Sequence, residues 1–189
     1  MHIYIHGFAS SGNATKGKIL KDFYAGRETV ITPDFPDEPF GAVKLLESFI
    51  IESKEPITLW GSSLGGFYAM YLTSILDVKS VLINPTIKPH LGLKEKVGKV
   101  TRHNSGEEFE WKDEYVSQLK KLSDAIFVEN IRLMNITLLL SKDDELLDYK
   151  ETLEYLGGKI GKLVLEENAG HQFMTFKEVL EKEFKKVEK

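Results

Sequence analysis

The chain has 189 residues, of which 42% are hydrophobic and 29% charged, enough apolar material to bury one sizeable core. Its formal net charge of −4 gives no overall attraction to nucleic acid or to anionic membrane. It holds no cysteine, which excludes disulfide scaffolds, thiolate metal sites and cysteine nucleophiles. The start, Met1-His2-Ile3-Tyr4-Ile5-His6-Gly7, lacks the basic stretch and long apolar run of a secretory signal, and the chain reads as cytoplasmic. Runs such as Leu138-Leu139-Leu140 are far too short to span a bilayer, and no stable membrane anchoring is expected.

In chain order, short apolar runs predict strands at His2–His6, Thr29–Thr32, Ile57–Trp60, Ser80–Ile83, Ile136–Leu140 and Lys162–Leu165. They are rich in Ile, Val and Leu without strict polar alternation, the pattern of strands covered on both faces. Between them lie stretches of helical spacing. Val43, Leu45, Leu46, Phe49 and Ile50 form one stripe; Phe176, Val179, Leu180, Phe184 and Val187 form another near the C-terminus. Strand–helix alternation calls for right-handed parallel crossovers, hence an α/β three-layer sandwich with a mostly parallel sheet of about six strands. Residues 1–189 read as a single domain. From Pro85 to Asn135 no strand is evident. This stretch is too long for a plain crossover, and 86–125 reads as a short cap or lid over the strand ends.

The main chemical signal is Gly61-Ser62-Ser63-Leu64-Gly65. It follows the Ile57–Trp60 strand and opens the apolar helix predicted over Leu64–Leu76, the context of a nucleophile elbow. Glycines two before and two after Ser63 leave room for a sharp turn that lifts its hydroxyl above the sheet. A hydroxyl needs a base. His171 is the best placed of the five histidines, on a loop after the last strand. The imidazole in turn needs a carboxylate, which in this architecture lies between serine and histidine, past a strand end. Asp144 fits, with Asp148 as rival and Asp143 a weaker one; Asp148 also suits a helix cap for Tyr149–Leu156. The oxyanion donors expected are the backbone N–H of Leu64 and, from the loop after the first strand, that of Phe8. Phe67, Leu146 and Phe173 are candidate substrate-lining residues.

Other signals are weak. No His-Glu-x-x-His or similar grouping suggests a metal. Gly157-Gly158-Lys159-Ile160-Gly161-Lys162 lacks the spacing and the final Ser or Thr of a phosphate loop. Lys88, Lys94, Lys96, Lys99 and Arg102 make a basic run whose default reading is a solvated face.

Several pieces together resemble the small bacterial esterases of the YqiA type, within the α/β-hydrolases. They are Tyr4-Ile5-His6-Gly7-Phe8 with Ser10-Ser11, Pro33-Asp34-Phe35-Pro36, Gly61 to Ala69 and Ile83-Asn84-Pro85. Gly106-Glu107-Glu108-Phe109, Asp144 to Tyr149 and Gly170-His171-Gln172-Phe173 complete the set. The resemblance implies an α/β-hydrolase fold, a triad at Ser63, Asp144 and His171, and no cofactor. It implies hydrolysis of a small-molecule carboxylic ester, with acyl-CoA thioester hydrolysis as the alternative; the small sheet and modest cap suggest a shallow pocket and short or medium acyl chains. A binding module without catalysis is the alternative of another class. One departure concerns the acid: many such chains carry Gly three residues before it, where this one has Ser141.

Overall fold

The computed structural model describes residues 1–126, 131–157 and 160–185. Val187 of the C-terminal stripe, and Gly158 and Lys159, lie outside the described residues. Six strands form one parallel sheet. They are β1 (His2–Ile5), β2 (Val30–Ile31), β3 (Thr58–Ser62), β4 (Lys79–Ile83), β7 (Ile136–Ser141) and β8 (Lys162–Glu166). Their spatial order is β2-β1-β3-β4-β7-β8. The register aligns Trp60 of β3 with Tyr4 on one side and Val81 on the other, and Ile83 with Leu139 of β7.

Because side chains alternate along a strand, the sheet builds two cores. One face presents Ile3, Ile5, Leu59, Leu82, Leu138 and Leu140 to α2 (Pro39–Glu52), α3 (Leu64–Ile75), α5 (Asp113–Asp124) and α6 (Tyr149–Leu156). The other presents Tyr4, Trp60, Val81, Ile83 and Leu139 to α1 (Thr15–Tyr24) and α7 (Phe176–Glu183). This is the three-layer sandwich expected. The double coverage expected of every strand fails at β8, where Leu163 is 40% and Leu165 37% exposed. β8 is an edge strand, with only Val164 buried among its residues.

The 86–125 segment departs from expectation. It does contain strands: β5 (Gly98–Thr101) and β6 (Glu108–Trp111) form an antiparallel ribbon, preceded by a single helical turn, α4 (Pro89–Gly92). α5 belongs to the main body, with Leu119 wholly buried and Gln118 bonded to Glu38 and to the Phe40 amide at the start of α2. Among the described residues no helix is long and apolar enough to cross a membrane.

Candidate active site

All the elements of interest meet at the C-terminal end of the parallel sheet. β3 stops at Ser62 and α3 starts at Leu64, so the whole reversal falls on Ser63, which adopts φ 54°, ψ −117°. A non-glycine residue there carries about 1–3 kcal/mol of strain that the surroundings must offset. They do so at several points. The Ser63 amide donates to the Ile83 carbonyl (3.0 Å), and the Ser63 carbonyl accepts from Phe67 and Thr86 (both 3.2 Å). The turn also demands close backbone approach. A Cβ on Gly61 would overlap the Gly65 carbonyl, and one on Gly65 would overlap the Ile5 carbonyl. Leu64 heads α3, where its N–H has no intrahelical acceptor.

The structure brings Ser63, His171 and Asp144 into one hydrogen-bonded chain. Ser63 Oγ lies 3.2 Å from His171 Nε2, and His171 Nδ1 lies 2.9 Å from Asp144 Oδ2 and 3.0 Å from Oδ1. An ionised carboxylate only accepts, so Nδ1 carries the proton and Nε2 is left to accept from the serine hydroxyl. The Asp144 side chain is 2% exposed and that of His171 11%. Burial alone would raise the Asp144 carboxyl. The hydrogen bonds from His171 and from the Leu146 and Leu147 amides outweigh it and hold the group below the usual carboxylate range.

The rival acids do other work. Asp148 caps α6, accepting from the Lys150 amide at 2.9 Å. Asp143 Oδ1 accepts from Ser141 Oγ (2.6 Å) and from the amides of Ala169 (3.1 Å) and Gly170 (3.3 Å). Ser141, the departure from the resembled pattern, thus helps aim Asp143 at the histidine loop. Glu145 Oε2 accepts from the His171 amide at 2.9 Å. Lys16 Nζ donates to the Gln172 carbonyl at 2.8 Å, its ammonium pushed down to about 8 by burial.

The loop after β1 flanks this chain of bonds. Phe8 and Ala9 form its turn, with Ala9 at φ 52°. Gly12 is tied by its amide to Asp34 (2.7 Å), and the buried His6 ring stacks on Phe35 with centroids 4.0 Å apart. The ribbon closes over the loop from outside. Phe8 packs edge-on against Phe109 and Trp111 (5.9 and 4.9 Å), and the His103 amide donates to the Ala9 carbonyl (2.8 Å). Arg102 donates to the Ser10 carbonyl (3.3 Å) and pairs with Asp37 (2.7 Å), its guanidinium lying 4.5 Å over the Phe109 ring.

Two of the three expected lining residues are corrected by their burial. Phe67 is wholly buried in the core between α3 and the sheet. Phe173 is 1% exposed and sits in the opposite core with Trp60 and Phe176. Neither offers surface to a ligand. Leu146, 68% exposed and two residues beyond Asp144, does. Sequence reasoning passed over Asn84 and Glu145, and it read Arg102 as part of a solvated face, whereas that side chain is largely buried against Asp37 and the Ser10 carbonyl. Asn84 and Glu145 lay inside motif pieces, but no sequence signal said which way their side chains point. Among the described residues no group of three or more His, Asp or Glu side chains could hold a metal.

An elbow serine at the end of a central parallel strand, with histidine and acid from later strands of the same sheet, defines the α/β-hydrolase class of folds. Solved structures with this fold superpose over nearly the whole chain. Est1E from Butyrivibrio proteoclasticus matches with a TM-score of 0.70 at 16% identity, over 96% of this chain and 84% of that one. The esterase domain of a Rhodothermus marinus protein matches with a TM-score of 0.62 at 20% identity, over 94% and 82%. Monoacylglycerol lipase of Paleococcus ferrophilus gives 0.68 at 14% identity, over 90% and 85%. At such identities the likeness establishes the fold alone. The chain belongs to the uncharacterised protein family UPF0227, whose model matches residues 1–186. Among its relatives are UPF0227 proteins of Pectobacterium carotovorum (25% identical over 93% of this chain and 92% of that one) and Pasteurella multocida (25% over 82% of each).

Proposed function

We propose that the protein is a serine hydrolase that cleaves small carboxylic esters of short or medium acyl chain through an acyl-enzyme. The observation that carries this reading is the continuous bonding from Ser63 Oγ through His171 to Asp144, at 3.2 and 2.9 Å. As Ser63 Oγ bonds to the acyl carbon, its proton passes to His171 Nε2, and Asp144 stabilises the imidazolium without taking the proton. The oxyanion forms against the N–H groups of Leu64 and Phe8. A single such donor is worth about 3 kcal/mol in the transition state. Collapse breaks the bond to the alcohol, which leaves with the proton from His171. Water then gives a proton to His171 and its oxygen to the acyl carbon, releasing the acid and restoring Ser63. No step calls for a cofactor.

The ester-cleaving names of two fold neighbours, an esterase domain and a monoacylglycerol lipase, support the same reading. Within 86–125, the β5–β6 ribbon enters it as a cap. The contacts of Phe109 and Trp111 with Phe8 favour a seated cap that braces the oxyanion loop and narrows the site toward short acyl groups. The test is labelling by a fluorophosphonate probe together with a panel of acyl esters of graded length and their matched thioesters. The wild type is expected to label and to turn over the shorter esters, and Ser63→Ala to lose both. Labelling or turnover that survives Ser63→Ala overturns the assignment. A wild type inert to probe and panel favours a binding module, and faster thioester turnover moves the substrate class.

A further inference from the structure

The three members of the relay hang from strands that are not all neighbours. Ser63 follows β3, Asp144 follows β7 and His171 follows β8, in the order β3-β4-β7-β8. From β8 to β3 is three strand spacings, about 14 Å at the usual interval. The histidine loop must therefore run back across the ends of β7 and β4. Asn84, the residue directly after β4, lies beneath that crossing and is 3% exposed.

Both ends of its carboxamide are engaged. Nδ2 donates to the carbonyls of Gly170 (3.0 Å) and His171 (3.2 Å), and Oδ1 accepts from the Ser141 amide (2.8 Å). Its own amide donates to the Leu139 carbonyl (3.0 Å). The residue before it, Ile83, accepts from the Ser63 amide, and Thr86, two residues on, donates to the Ser63 carbonyl. One four-residue stretch at the end of β4 thus touches the backbone at the elbow, at the end of the strand bearing the acid, and at the histidine itself. Asn84 has φ 39°, a left-handed conformation that Asn and Gly tolerate better than other residues.

We infer that Asn84 is a positioning residue that sets the distance between the acid strand and the histidine loop, and so holds His171 in line between Asp144 and Ser63. The inference rests on the serine-hydrolase reading. Asp143, Glu145 and Lys16 hold the amides or carbonyls of Ala169, Gly170, His171 and Gln172 from other sides. Asp143 and Glu145 reach the histidine loop from the acid segment itself; Asn84 differs in bonding both segments from a third strand through one side chain.

Asn84→Gly keeps the positive φ without strain and removes the whole side chain, carboxamide included. Asn84→Asp keeps the side-chain volume and an acceptor for Ser141, but sets an anion against two carbonyl oxygens. Both are compared with wild type and Ser63→Ala in ester hydrolysis, circular dichroism and thermal unfolding. The proton on His171 Nδ1 is followed by its downfield NMR resonance. For Asn84→Gly we expect kcat to fall about 100-fold, the effect of an error near 1 Å in placing a reacting group. We expect KM within about threefold of wild type, since substrate contacts are untouched, and loss of the downfield signal from a protein that still unfolds cooperatively. Should Asn84→Gly fail to fold, Asn84→Asp decides by the same kcat–KM split. A kcat within threefold of wild type with the resonance retained, while Ser63→Ala is dead, overturns the role of Asn84 alone. Activity that survives in Ser63→Ala overturns the underlying reading instead.

Discussion

Asp144 and Asp148 stand four residues apart and differ in everything their environment allows. Asp144 is turned inward, bonded to His171 and to two amides; Asp148 faces solvent and caps a helix. Asp144→Asn is expected to lower kcat by about 10⁴-fold, because an amide in place of the carboxylate favours the wrong imidazole tautomer. Asp148→Ala is expected to leave kcat unchanged and to cost about 1 kcal/mol in urea unfolding, the usual worth of an N-cap. Spacing from a strand end favours Asp144 over Asp148, and it is the Asp144 carboxylate that lies against His171. It could not reveal Asp143 as the group that grips Ala169 and Gly170, or Asn84 as a bridge, because such roles are set by chain segments brought together from far along the sequence. Phe67 and Phe173 illustrate the same limit. Apolar type beside a motif predicts burial, and only the backbone decides whether the side chain faces a cleft or a core.

Among the elements, the elbow has the least room for change. A methyl group on Gly65 would meet the carbonyl oxygens of Ile5 and His6, both main-chain atoms of the neighbouring strand and its exit. Neither can give way without opening the sheet. Gly65→Ala is therefore expected to destabilise the protein by about 3 kcal/mol in urea unfolding. The β5–β6 ribbon escaped detection because nothing in it resembles a core strand. Its residues alternate between exposed and half-buried up to Trp111, the one buried residue, with Lys99 and Glu108 paired across the solvent side. It packs on a loop rather than on the sheet, so it needs no apolar run. Its attachment to that loop depends strongly on Arg102. Arg102→Ala removes the bond to Ser10, the pair with Asp37 and the stacking on Phe109. We expect a fall in kcat between about tenfold and 100-fold from a loosened loop after β1, the loop proposed to hold the oxyanion, with fluorophosphonate labelling slowed but not abolished.

At the scale of the molecule, the six strands, their parallel pairing and the helices on both faces were legible because a doubly covered sheet writes each strand as a compact apolar run. The two edges depart from full coverage: Val30 and Ile31 of β2 are half-buried, and Leu163 and Leu165 of β8 meet solvent. The whole fold also feels the relay through proton linkage. The Asp144 carboxyl is held below its ordinary range, so as the pH falls the unfolded chain takes up this proton before the folded one. Its contribution to stability is complete above an ordinary carboxylate value of about 4 and drains away as pH drops through the lowered value. Urea midpoints measured from about pH 5 to about pH 3 should therefore fall more steeply for wild type than for Asp144→Asn.

Ser63 and His171 are 108 positions apart, and every pairing in the large sheet is parallel, joined only through long crossovers. Such contacts are slow to form because much loop entropy must be surrendered before they reward the chain. After dilution from denaturant, helical ellipticity should return first and the capacity to react with a fluorophosphonate later, with a lag between the two. Partly assembled chains would then be chemically silent, and the appearance of a reactive serine would mark the moment at which the last strand docks.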